Sequence, residues 1–278
     1  MGAKIKEFQE YISSGSKAIV RLEDYSKQPA TAFLKHVVEA KDAAAMCMRT
    51  FRPHGNKKYS QDAIDSMYII SAGLLAGIMG NFETYQKYLF ANMFEFSIYL
   101  NKFTVNDFLR RLGNAASSGL NIDLQRLASY RDNHAAVGLI IADNLKNWQS
   151  PTIVNEYFKS FRLQDAHGRM LEFYTAEARE NLSVLWQMRH SIVHTASTIT
   201  IPDSQKIDKL NPFANQVIAL EKNFILEVAR KLHPIIKEAT EHMRDVYLHN
   251  LKNDIPQNKL NAINDVFKVT SSCYAWLR

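Results

Sequence analysis

The chain has little of what breaks or staples a fold. Only two cysteines, Cys47 and Cys273, occur in its 278 residues. They form neither a CxxC pair nor a Cys/His metal spacing, so the sequence predicts no disulfide framework and suits a reducing cytosol. Glycine and proline number just 10 and 7, too few for the turns of a long all-β protein. There is no P-loop, no GxGxxG, no GxSxG elbow and no DxD-type metal cluster, which leaves nucleotide-fold enzymes and serine hydrolases without their signatures. Dense Lys/Arg runs are missing too. The tightest basic pairs, Lys57-Lys58 and Arg110-Arg111, read as solvated helix ends. The most apolar stretch, Met67 to Gly80, is too short to span a bilayer, and Asn81 and Glu83 follow at once. It reads as a buried helix whose Gly73, Gly77 and Gly80 let another helix approach. The N-terminal MGAKIKEFQEYISS is amphipathic and lacks the apolar run of a secretory signal. The expected location is cytoplasmic, with no membrane partner.

What is present is helical periodicity. Hydrophobic residues make up 46% of the chain, enough for a substantial core. The apolar spacing predicts helices over about 3–25, 31–50, 60–100 (bent near residue 80), a short one after Thr104, then 123–148, 152–161, one capped by Thr175, 211–250 (kinked at Pro234) and 256–272. Residues 113–119 read as a loop. Thr195 to Ile201 is the one β-branched run, a short strand or extended turn ended by Pro202. The class is therefore all-α, a helical bundle in which residues 1–55 form an N-terminal extension to a domain over 56–278. The dense aromatic residues Phe82, Tyr85, Tyr88, Phe90, Phe94 and Phe96 read as helix-packing core rather than a base-stacking platform. The net charge of +6 and a pI near 9.1 raise the local concentration of polyanions without proving that any binds.

One segment carries chemistry: Arg189-His190-Ser191-Ile192-Val193-His194. A histidine can take the proton of a ribose 2′-hydroxyl or give one to a leaving 5′-oxygen. An arginine keeps its charge and binds a developing phosphorane in bidentate fashion. Together they suit metal-independent RNA cleavage, because the substrate brings its own nucleophile. Five residues turn an ideal helix through roughly 500°, leaving Arg189 and His194 about 140° apart. They converge only if the helix ends near residue 194 or a second copy packs alongside. His190 and His194 share a face. That spacing could also chelate a metal, but no HExxH motif or third ligand accompanies it. The bland alternatives are a structural arginine paired with a carboxylate, and a satisfied core histidine.

Arg-x4-His with a polar residue directly after the arginine resembles the signature of the HEPN superfamily (higher eukaryotes and prokaryotes nucleotide-binding). The stretch from Asn147 through Phe158, Phe161 and Leu163 is similar to the short helix that precedes the signature helix in that family. Asn81-Phe82-Glu83-Thr84-Tyr85 resembles the start of its early long helix. The likeness runs over about residues 60–250 and is strongest to bacterial defence and toxin ribonucleases. It implies a helical bundle that forms a homodimer, with an endoribonuclease site for an RNA substrate at the dimer interface and no metal or cofactor. It also implies His194 as general acid/base, Arg189 as phosphate ligand, His190 as polar support and Glu83 as an acidic residue facing the motif, with an antitoxin or sensor protein as a further partner. The family often places a glycine or small polar turn after the histidine, where this chain has Thr195-Ala196-Ser197. A HEPN-like module that binds RNA or protein without cutting, and a purely structural scaffold, are the competing readings.

Overall fold

A computed structural model describes residues 20–52, 58–116 and 136–270. The fold is all-α, with one two-stranded sheet among the described residues. The helices are α1 (Leu22–Lys27), α2 (Pro29–Thr50), α3 (Gln61–Glu95), α4 (Val105–Ala115), α5 (Val137–Asn144), α6 (Pro151–Lys159), α7 (Ala176–His194), α8 (Ile201–Ser204), α9 (Phe224–His249) and α10 (Gln257–Val266). Strands β1 (Thr198–Ile199) and β2 (Gln216–Val217) pair antiparallel, Thr198 opposite Val217.

The centre of the bundle is α3. It starts at Ser60, whose hydroxyl accepts from the Ala63 amide at 3.2 Å and satisfies one of the orphan donors of the first turn. It packs against α2, α5, α7 and α9. Leu75, Ile78, Phe82, Tyr85, Leu89 and Phe90 are wholly buried along it, which explains the apolar run that begins at Met67. By length and composition alone the stretch Gln61–Tyr99 could cross a membrane. In the bundle it is the helix around which the others pack. Three of the six aromatic residues assigned to the core, Phe82, Tyr85 and Phe90, are fully buried, and Tyr88, Phe94 and Phe96 pack on them from the edge.

Several expectations are corrected. α3 runs unbroken from Gln61 to Glu95, through the glycines. A Cβ on Gly73 or Gly80 would meet nothing within 4 Å, so close approach is not their role. That role falls to Gly138 of α5, where an added Cβ would sit 2.9 Å from the Ala91 Cα and closer still to its carbonyl oxygen. The division expected near residue 55 does not separate the core, since Phe33, Leu34 and Val37 of α2 belong to the same cluster as α3 and α9. Gly113 lies within α4. The helix expected over 123–148 is, in its described part, only α5, because Leu145 turns extended and Asn147 takes a positive φ of 63°. Buried Trp148 then folds back, its indole donating to the Ala142 carbonyl at 2.9 Å. The helix expected from 211 starts only at Phe224, since 208–213 form a 3₁₀ segment around Pro212 and 216–217 a strand. Pro202 does not end structure but lies in the first turn of α8, where its missing N–H costs nothing. The first predicted helix lies largely outside the described residues.

Candidate active site

Thr175 caps α7, accepting from the Ala178 amide at 3.2 Å, and the helix runs to His194 and stops there. The stop is made by backbone. The amides of Thr195 and Ser197 both reach the Ser191 carbonyl, at 3.1 and 2.9 Å. Ala196 and Ser197 take positive φ of 50° and 64°, so two consecutive non-glycine residues occupy the left-handed region. Each is unfavourable there by about 1–2 kcal/mol for an L-residue, and such strain gathers at functional sites. The Tyr68 hydroxyl of α3 donates to the Ser197 hydroxyl, tying the turn to the central helix.

Because the helix ends at His194, Arg189 and His194 meet within one chain. The guanidinium Nη1 lies 3.5 Å from the His194 Nε2, a long contact that defines geometry more than strength. Arginine can only donate, so Nε2 is the acceptor in it. The His190 and His194 rings are 4.9 Å apart, tilted at 45°. Arg189 and His190 are half-buried and His194 is exposed. Arg189, His190 and His194 are thus brought together, and no second copy is needed to close the Arg–His pair.

Glu83 is not brought to them. Phe82 is the residue of that turn facing α7, its ring 6.1 Å from Trp186, and one residue on, the helix has turned by about 100°. The Glu83 carboxylate instead pairs with Lys87 at 2.9 Å, and Lys87 extends to Asp143 of α5 at 3.6 Å. The expected role of Glu83 facing the motif does not hold in this geometry.

Two features went unseen in the sequence. Six buried side-chain polar atoms among the described residues have no hydrogen-bond partner, and four belong to one stretch of α7: Trp186 Nε1, Gln187 Nε2, Arg189 Nε and Ser191 Oγ. Their concentration around the motif sets this stretch of α7 apart from the rest of the described helices. The second feature is Asp203, a buried carboxylate of α8. It lies below the usual carboxylate range because the Lys206 ammonium bonds it, with the Thr200 hydroxyl and the charges of Lys206 and His190 adding to the effect against burial. The Thr200-x-x-Asp203 spacing is a capping signal that could have located it.

One cavity beside this helix, about 480 Å³, is lined mainly by apolar side chains, among them Met188, Ile199, Leu210 and Phe224. Among the described residues no group of three His, Cys, Asp or Glu is placed to hold a metal ion. Comparison with family models, with curated proteins and with solved structures finds no match for this chain.

Proposed function

We propose that the protein is a metal-independent endoribonuclease of the HEPN type, acting in the cytoplasm in a toxin, stress or antiviral role. One observation carries the reading: the Arg189–His194 contact at the exposed end of α7, which sets an imidazole and a guanidinium side by side. His194 removes the proton from a ribose 2′-hydroxyl, and the 2′-oxygen attacks the adjacent phosphorus. The bond to the 5′-oxygen breaks, and that oxygen leaves with a proton returned from an imidazolium. Arg189 balances the charge on the phosphorane. The products are a 2′,3′-cyclic phosphate and a 5′-hydroxyl. DNA, with no 2′-hydroxyl, is not a substrate.

A homodimer fits this reading. Ile69, Val193 and Ile201 are 69%, 46% and 47% exposed, and all lie at the end of the bundle that carries the motif. Exposed large apolar side chains such as these favour association where a partner covers them. A second copy would supply a second histidine, so that one acts as base and the other as acid. An antitoxin or sensor protein that covers this surface would restrain the activity.

The test is cleavage of single-stranded RNA by purified protein in EDTA, with 2′,3′-cyclic phosphate ends detected on the products. Arg189→Ala and His194→Ala should each abolish cleavage while the melting curve is kept. Variants that cut as well as wild type refute the assignment. RNA that binds without breaking makes the protein a binding module instead. Collapse of thermal stability in His194→Ala points to a structural histidine.

A further inference from the structure

Segments distant in sequence meet at the end of the bundle away from the motif. The Asn101 amide donates to the Asn250 carbonyl at 2.9 Å, and the Lys252 amide to the Tyr99 carbonyl at 2.9 Å. The Asn250 side chain donates in turn to the Gln164 carbonyl at 2.8 Å. The Phe103 and Phe161 rings stack at 6.2 Å. α4 joins them through Arg111, whose Nε donates to the Ser160 carbonyl at 2.9 Å. The cations gathered this way are Lys102, Arg110, Arg111, Arg162 and Lys252, drawn from separate stretches of a chain that has no dense basic run.

Little neutralises them. Lys102 and Arg162 are exposed, and among the described residues neither pairs with a carboxylate. Arg162 takes a positive φ of 55° between buried Phe161 and Leu163, a backbone that L-residues adopt at a cost, and its side chain stands in solvent. Arg111 and Lys252 are held by carbonyls, the latter by that of Ile98 at 2.7 Å. A carbonyl fixes a cation in place without cancelling its charge. Asp107 offsets Arg110 at 3.0 Å, and Asp254 follows two residues after Lys252. The other carboxylates nearby are engaged: Asp165 pairs with Arg169 at 2.7 Å and Glu156 with Lys159 at 2.9 Å. The end of the bundle therefore carries a positive excess. Tyr68 of α3 bonds Ser197 beside the motif, and Phe94 of the same helix packs on Phe103 at 6.3 Å. The two ends thus lie about 40 Å apart along the helix axis.

We propose that Lys102, Arg110, Arg111, Arg162 and Lys252 form a docking site for the sugar-phosphate backbone of a nucleic-acid strand, remote from the Arg189–His194 pair. The choice of RNA as the natural strand rests on the ribonuclease reading; the docking site does not. Three of the five cations are arginines, whose planar donors match phosphate oxygens. Contacts to phosphate carry affinity without reading sequence, so DNA binds here as RNA does. A strand reaches from this site to the motif in about 12 nucleotides, at about 3.4 Å each. Binding so far from the reacting bond holds ground state and transition state alike, and so acts on KM and not on kcat.

The experiment measures binding of a labelled thymidine DNA strand of about 30 nucleotides, which lacks the 2′-hydroxyl, by fluorescence anisotropy over a series of salt concentrations. Wild type is compared with Lys102→Ala/Arg162→Ala and with the charge-keeping Lys102→Arg/Arg162→Lys. Lys35→Ala/Lys231→Ala, which removes two exposed charges elsewhere, controls for net charge. Each variant is checked for a native melting curve. Losing two phosphate contacts should lower the slope of log affinity against log salt by about 1.4, and raise Kd on the order of 25-fold near 0.1 M salt. The charge-keeping pair should bind as wild type does, and the control pair should lose far less. An unchanged Kd and slope in the folded alanine pair overturns the proposal, as does an equal loss in the control. Polyglutamate that competes as well as DNA makes the partner an acidic protein and overturns it too. If the alanine pair does not fold, Lys102→Ala alone decides, with half the change in slope. In RNA cleavage, KM for a strand of about 30 nucleotides should rise in the alanine pair with kcat kept, whereas a strand of about six, too short to reach across, should be cut alike by both. No cleavage by wild type overturns the ribonuclease reading and the bridging of the two ends. The DNA measurement still decides the docking site, so the two failures are told apart.

Discussion

Ala196→Gly should make the protein more stable, although it removes a methyl group and adds backbone freedom. Ala196 follows the helix end at a φ of 50°, where its Cβ crowds the backbone. Releasing that crowding is worth about 1–2 kcal/mol. Against it stands the greater entropy glycine loses on folding, about 0.5–1 kcal/mol. Ala196 is exposed, so little packing goes with the methyl. The balance is a gain of about 0.5–1 kcal/mol, which for a chain of this length raises the melting temperature by about 1–2 °C. Urea denaturation is the better assay, because a shift in midpoint at constant slope isolates stability from changes in the unfolded ensemble. The neighbouring Ser197 is a poorer place for the same test, since its hydroxyl bonds Tyr68. Ala196→Val should do the opposite, because a β-branched side chain in this region is a true outlier. A midpoint for Ala196→Gly at or below wild type would refute the idea that the turn beneath the motif is strained.

Other perturbations probe different parts of the structure. Gly138→Ala should lose about 1–3 kcal/mol, the usual effect of overpacking, because the new Cβ would press on the Ala91 backbone; a denaturation curve matching wild type would show that α3 and α5 can separate freely. Asn155→Ala should be at least as harmful. The Asn155 side chain donates to the Tyr174 carbonyl at 3.0 Å and accepts from its amide at 2.8 Å; leaving both buried groups unpaired is unfavourable by about 1–3 kcal/mol each, and again urea midpoints decide. Stability should also fall as pH drops below about 6.5, the unfolded value for histidine. Burial holds His36 below that value, and burial with the nearby Lys237 charge does the same for His233. His36 Nε2 faces the Asn81 amide nitrogen at 3.2 Å, a donor that calls for an unprotonated ring nitrogen. The unfolded chain therefore binds protons that the folded chain refuses, and this stability, present above about pH 6.5, is lost as pH falls through the folded-state values. Melting temperatures between pH 7.5 and 5 check it, and His36→Gln should flatten the dependence.

The sequence by itself determined the all-α class, the cap at Thr175 and the Arg-x4-His segment, because helix periodicity and capping chemistry are local properties read within one or two turns. It also placed the aromatic residues of α3 in the core, since a dense apolar face has nowhere else to go. The tertiary structure decided what depends on contacts distant in sequence. Whether Arg189 and His194 could meet turned on where α7 ended, and that end is made by a left-handed turn at Ala196 and Ser197, residues with no intrinsic preference for it, held by Tyr68 from α3. Glu83 looked suitable from its place in the chain, yet Phe82 is the residue of that turn that packs on Trp186, and Glu83 pairs with Lys87 instead. The glycine that mattered was Gly138, chosen by the separation of two helix axes and not by any pattern along the chain.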